Sequence, residues 1–297
     1  MPHDYYILVL GDSVTWGQGL LEAQKMHTLV RDEIEARRGP TRCVQLAHSG
    51  AVIGVDSGVA AAGCDSEVPT SFPTILQQCD AAPDTAVDLV VLNGGINDID
   101  IRYILNPFTE PADLADVTRR FCGADMGTLL DRVLARFPIA KIVVTSYYPV
   151  LSPESHFPLV DDFMLTLGLP IGPLTRFGDE NLIVDRIVGN AALFYEASTS
   201  ALQSAVDAAN TSAPGRVALA APAFTDNNAA LAPDAWLFGI KGDLSPEDPV
   251  AAARRVSCDN CWDDFLRREQ CYRASAGHPN VTGARKFADA ILAALPD

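Results

Sequence analysis

The chain is short of positive charge. Its 297 residues carry 22 Lys and Arg against 38 Asp and Glu, a formal net charge of −16. Such a surface repels phosphate backbones and anionic headgroups, which sets nucleic-acid binding and polybasic membrane attachment aside. No uncharged apolar run nears the roughly 20 residues that cross a bilayer, so no stable membrane insertion is expected. The opening Met1-Pro2-His3-Asp4 has neither the basic segment nor the long apolar stretch of a secretory leader. The expectation is a cytoplasmic protein, although a secreted chain already trimmed of its leader reads the same way. Seven cysteines are too few for a disulfide scaffold at this length, and their odd number leaves at least one thiol unpaired. Low-complexity linkers, charge blocks and internal repeats are all lacking.

What the sequence does have is enough apolar side chain, 48% of residues, for a full core. Tyr5 to Leu10 is a continuous apolar run closed by Gly11, as expected of a parallel strand buried on both faces. Further strands are predicted at Cys43–Ala47, Val87–Leu92, Lys141–Thr145 and Val217–Ala221. Helical spacing joins Met26, Leu29, Val30 and Ile34 before Gly39-Pro40, and marks two faces on either side of Gly123. It continues from Ile183 to Ala201 and from Ala284 to Leu295, the last helix capped by Asn280. Strand and helix alternate, which predicts an α/β protein with an open parallel sheet of about five strands and helices on both faces. A single domain over 1–297 is expected, with rim insertions near 152–178 and 224–257.

Four short blocks carry groups able to do chemistry, each beyond a predicted strand. Gly11-Asp12-Ser13 follows the first strand, where open α/β sheets place their ligands. A serine there needs a base to become a nucleophile. No Gly-Lys-Ser/Thr follows, so this is not a phosphate-binding loop. Ser49-Gly50-Ala51 follows the second strand and offers an unencumbered backbone N–H. Gly95-Ile96-Asn97-Asp98 follows the third, with a carboxamide able to donate to a developing oxyanion. Gly277-His278-Pro279 precedes the last helix and holds a histidine in a fixed position, as a general base requires.

In this order the four blocks resemble the SGNH (GDSL) hydrolases, and they span residues 11 to 278. The resemblance implies a flavodoxin-like three-layer α/β/α fold and cleavage of carboxylic esters through an acyl-serine, with no metal or organic cofactor. Residue by residue it implies Ser13 as nucleophile and His278 as base. Ser13, Gly50 and Asn97 would form the oxyanion hole. The expected partner is a small-molecule ester, lipid-like or short-chain; the sequence carries no signal of oligomeric state.

One position departs from the family pattern. An aspartate usually stands three residues before the histidine, and here that place is held by Ser275. Three readings stay open: a backbone carbonyl orients His278 in a Ser-His dyad; Asp263 or Asp264 reaches the ring; or the site is weakened and the chain is a ligand-binding protein on the same fold. A carbohydrate O-acetylesterase is a further alternative. Cys258, Cys261 and Cys271 allow free thiols or an unspecified pairing, a disulfide among the three, or an incomplete metal site, in that order of preference. The resemblance adds that secreted lipolytic members often brace this loop with a disulfide. Cys43, Cys64, Cys79 and Cys122 read as small buried hydrophobes. The apolar tract Phe163–Thr175 suits an acyl-chain wall or, equally, packing under the rim; Trp16, close to Ser13, reads first as buried aromatic packing, with a place in the pocket wall as the alternative.

Overall fold

Five short strands, apolar in their centres except for the mixed edge strand Thr41–Gln45, pair in parallel to form one sheet. In this computed structural model, which describes residues 4–56, 63–156, 159–169, 180–241 and 247–295, the strands are β1 (Tyr5–Val9), β2 (Thr41–Gln45), β3 (Leu89–Leu92), β4 (Lys141–Thr145) and β5 (Val217–Ala220). Their order across the sheet is β2-β1-β3-β4-β5. Ile7 sits opposite Cys43 on one side and Leu89 on the other, and Val91 opposite Val143. The inner strands are continuously apolar apart from Lys141 and Thr145 at the ends of β4, because helices cover both faces and leave no wet side to alternate toward.

On one face lie α2 (Met26–Arg38) and α12 (Val281–Ala293). On the other lie α3 (Ile75–Ala81), α7 (Met126–Arg136) and the long α9 (Glu180–Ser212). The result is the flavodoxin-like three-layer α/β/α arrangement expected from the alternating pattern. Strand order reverses between β1 and β3, so the loops leaving their carboxyl ends diverge and open a crevice between them. Two short helices start in that crevice, α1 (Ser13–Trp16) after β1 and α4 (Ile96–Ile99) after β3.

The structure departs from the sequence pattern in several places. The helical faces on either side of Gly123 belong to one continuous run: α6 (Pro111–Arg119), a π-helical segment Arg120–Asp125, then α7. Gly123 does not break the helix; it faces Ala201 of α9. Helix α3 gave no strong apolar period and was not anticipated; it is started by Thr74, whose side chain caps Gln77. The rim stretches are partly helical, with α8 (Val160–Thr166) in one and α10 (Ala251–Cys261) beginning in the other. A further helix, α11 (Phe265–Tyr272), runs back toward the loop that carries His278.

Candidate active site

The turn after β1 is held by a buried polar network. Asp12 caps α1 by accepting the Val14 N–H at 2.8 Å, which places Ser13 in the first helical turn. The same carboxylate accepts Asn93 Nδ2 at 2.7 Å and the Tyr147 hydroxyl at 2.9 Å. Tyr147 in turn accepts the Ile96 N–H at 3.1 Å, and Gln78 exchanges hydrogen bonds with the Gly11 backbone. Burial pushes the Asp12 carboxyl up, and its bonds to Val14, Asn93 and Tyr147 push it back down. The turns after β1, β3 and β4 are thereby fixed to one another. Asn93, Tyr147 and Gln78 were not singled out in the sequence, because nothing local marks a polar residue that will be buried.

Ser13 Oγ lies 2.7 Å from Nε2 of His278, 265 residues away. The histidine loop is held from both sides. The Asn280 side chain caps α12 through the Gly283 N–H, and the His278 N–H bonds the Ser275 carbonyl at 2.9 Å. Gly277 donates to the Phe238 carbonyl at 2.8 Å, and Phe238 donates to the His278 carbonyl at 2.7 Å. Burial pushes the imidazole down to about 4, partly opposed by the Ala276 and Ser275 carbonyls beside it. Neither carbonyl reaches Nδ1 in hydrogen-bond geometry, and Nδ1 is buried without a partner. At neutral pH the ring is uncharged and Nε2 is able to accept the serine proton.

Gly50 turns with φ +78°, and a Cβ there would lie 2.6 Å from the Thr70 nitrogen, so no other residue fits without rearrangement. No group among the described residues takes up its N–H. Asn97 donates from Nδ2 to the Ala51 carbonyl at 3.0 Å, leaving a second N–H on the same nitrogen. Asp98 accepts the Ile53 N–H through both oxygens at 3.0 and 3.2 Å, and burial raises its carboxyl to about 6. Ser13, Gly50, Asn97 and His278 all line one cavity of about 1000 Å³. Its walls include Ile96, Ile101, Tyr148, Val150, Leu167 and Leu266.

None of the remaining candidates reaches the imidazole, although Asp264 lines the cavity. Asp263 and Asp264 are exposed and make no bond to His278; Asp264 caps α11 by accepting the Arg267 N–H at 2.8 Å. The Ser275 hydroxyl points away from the ring and donates to Asp248. Trp16 does not line the cavity: its indole N–H bonds Glu67 at 2.7 Å and Lys25 Nζ lies 3.3 Å above its ring. Of the apolar tract, Leu167 lines the cavity and Phe163 is buried behind Gly277; residues 170–175 lie outside the described residues.

Two disulfides form, Cys64–Cys261 and Cys258–Cys271, so none of the three C-terminal cysteines is a free thiol and a disulfide among the three, Cys258–Cys271, is the alternative that holds. Cys64 is therefore a cross-link and not a small hydrophobe, because the loop after β2 runs against α10. Cys43, Cys79 and Cys122 stay free. Among the described residues no cluster of three His, Cys, Asp or Glu is placed to hold a metal ion, and no helix is long and apolar enough to cross a membrane.

A search of curated protein sequences finds no match. Among solved structures, the extracellular lipase of Streptomyces rimosus is similar with a TM-score of 0.56 at 15% identity, over 99% of this chain and 100% of that one. Phospholipase A1 of Streptomyces albidoflavus NA297 gives 0.55 at 16% identity, over 99% and 100%. At these identities the likeness establishes the fold. The model of the GDSL-like lipase/acylhydrolase family matches residues 9–168, more than half of the chain and all three loops after β1, β2 and β3. With the Ser13 turn, the Gly50 turn and the Asn97 turn all inside that match, the chain belongs to the GDSL-like lipase/acylhydrolase family, the ester-cleaving serine hydrolases.

Proposed function

We propose that the chain hydrolyses carboxylic esters at the Ser13–His278 pair. The observation that carries this reading is the 2.7 Å contact between Ser13 Oγ and a half-buried, uncharged imidazole, both lining one cavity whose walls are apolar in part and carry Arg102, Arg267 and Arg273 as well. Ser13 Oγ attacks the ester carbon while its proton passes to His278 Nε2. The carbonyl electron pair moves onto oxygen, where the N–H groups of Ser13 and Gly50 and the free Asn97 N–H receive it. On collapse the C–O bond to the alcohol breaks, and the imidazolium gives its proton to the departing oxygen. Water then attacks the acyl-serine with His278 taking its proton, and collapse releases the acid and restores Ser13.

The size of the cavity and its walls of Ile96, Ile101, Val150 and Leu167 favour an ester with an extended apolar acyl group over acetate alone. Two disulfides support a life in an oxidising compartment in place of the cytoplasm expected from the opening residues. The direct test uses p-nitrophenyl esters of graded chain length with a fluorophosphonate probe. Hydrolysis and covalent labelling that both vanish in Ser13→Ala are expected. Tight ligand binding without labelling would make the chain a binding protein, and activity confined to acetate would make it an acetylesterase.

A further inference from the structure

A second cluster of charge lies behind the site, largely out of water. Arg254 on α10 is 1% exposed, and its guanidinium grips Asp248 with both ends, Nη2 to Oδ2 at 2.7 Å and Nη1 to Oδ1 at 3.1 Å. Nη1 also reaches Glu67 Oε1 at 2.9 Å, and Nη2 the Tyr272 carbonyl at 3.0 Å. Glu67 accepts the Trp16 indole, the Gln18 amide and the Gly19 N–H, so it holds the chain just past the nucleophile helix. Asp248 accepts the Ser275 hydroxyl, so it holds the histidine loop. The two halves touch directly at Gly19, where a Cβ would lie 2.7 Å from Ser275 Cβ and 3.1 Å from Asp248 Cβ.

Burying two carboxylates and a guanidinium is expensive, and apolar side chains of the same volume commonly stabilise a fold as well or better. The cluster therefore needs a reason other than stability, and its position supplies one. Residue 275 is the place from which related chains present an aspartate to the histidine; here it is a serine whose hydroxyl hands the interaction on to a carboxylate from another segment. Arg254 alone would oppose a positive imidazole nearby. Asp248, paired to it through two bonds, offsets part of that opposition; of the charged neighbours that act on His278, Arg254 disfavours and Asp248 favours the protonated ring.

We propose that Asp248, acting through the Ser275 hydroxyl and held by Arg254, is the positioning carboxylate of the Ser13–His278 pair. It stands in for the aspartate that position 275 lacks. It fixes the loop that carries the imidazole and offsets the Arg254 charge while the ring holds the serine proton. The proposal rests on Ser13 and His278 being the reacting pair.

The test compares kcat and KM on p-nitrophenyl butyrate for the full chain, Asp248→Asn, Ser275→Ala and the double variant Asp248→Asn/Ser275→Asp, with folding checked by near-ultraviolet circular dichroism. The expected result is a fall in kcat of more than fivefold in Asp248→Asn with KM within threefold. Recovery of at least threefold is expected when the carboxylate is returned at position 275 in the double variant. A folded Asp248→Asn protein with a smaller fall overturns the proposal. So does a loss that the double variant does not recover, since that loss comes from a broken ion pair alone. Should Asp248→Asn fail to fold, Ser275→Ala decides: an unchanged kcat overturns the proposal and a several-fold fall at constant KM supports it. Activity surviving in Ser13→Ala would instead sink the parent reading, which none of the Asp248 outcomes can do.

Discussion

Asn97 spends one N–H of its carboxamide on the carbonyl of Ala51, at 3.0 Å, and Ala51 is the neighbour of Gly50. Two donors that start from different strands are thus set at a fixed spacing, and the second Asn97 N–H is aimed without any freedom to rotate. Asp98 repeats the link one residue on, through the Ile53 N–H. Such preorganised donors act mainly on the transition state. Asn97→Ala is expected to lower kcat by about 100- to 1000-fold with little change in KM, as removal of one oxyanion donor does. Steady-state kinetics on a p-nitrophenyl ester checks this, and a fall below tenfold would take Asn97 out of the oxyanion hole.

The depressed His278 sets an acid limit on activity. Burial holds the ring at about 4, well below its ordinary 6.5, so the uncharged form persists through mildly acidic pH. The rate kcat/KM at pH 5.5 is expected within twofold of its value at pH 7.5, falling only as pH nears 4. For stability the signs differ between two groups. Unfolded His278 binds a proton below 6.5 and the folded ring only below about 4, so acidification through that window destabilises the fold. Asp98 works the other way: folded it holds its proton up to about 6, unfolded only to about 3.8, so acidification stabilises the fold. Asp98→Asn removes the opposing contribution, and its melting temperature should drop more steeply than the wild type between pH 6.5 and 4.5. A kinetic limb near 6.5 would show the imidazole in contact with water.

Those two groups also show where a sequence is readable. Strands β1, β3 and β4 are legible because burial on both faces leaves a continuous apolar signature, and the Ser13, Gly50, Asn97 and His278 blocks because each follows a punctuating glycine or precedes a helix cap. Arg254 and Arg255 are adjacent and chemically identical, yet the first is 1% exposed between two carboxylates and the second faces solvent. Only tertiary packing separates them. Glu67 lies 187 residues from Arg254, and no local period links them. Cys64 is in the same position: its partner Cys261 is 197 residues away, and no local spacing links the two.

The two cross-links act on different parts of the unfolded chain. Cys258–Cys271 closes 13 residues and ties α10 to α11; Cys64–Cys261 closes 197 and ties the Glu67 loop to the end of α10. In the chain-entropy model those closures restrict the unfolded state by about 3 and about 5 kcal/mol respectively. Removing the long closure with Cys64→Ala/Cys261→Ala is therefore expected to lower the denaturant midpoint more than Cys258→Ala/Cys271→Ala does, by about 2 kcal/mol of stability. The long closure also lies three residues from Glu67, which binds the turn after Ser13, so catalysis should fail at a lower temperature in that variant than in its partner. Thiol titration of the denatured protein gives the prerequisite: three reactive thiols, from Cys43, Cys79 and Cys122, without reductant and seven with it. Seven thiols in both conditions would mean that the chain works reduced. The helix carrying Arg254 would then be held to the nucleophile turn by its ion pairs alone, and an oxidising compartment would lose its support.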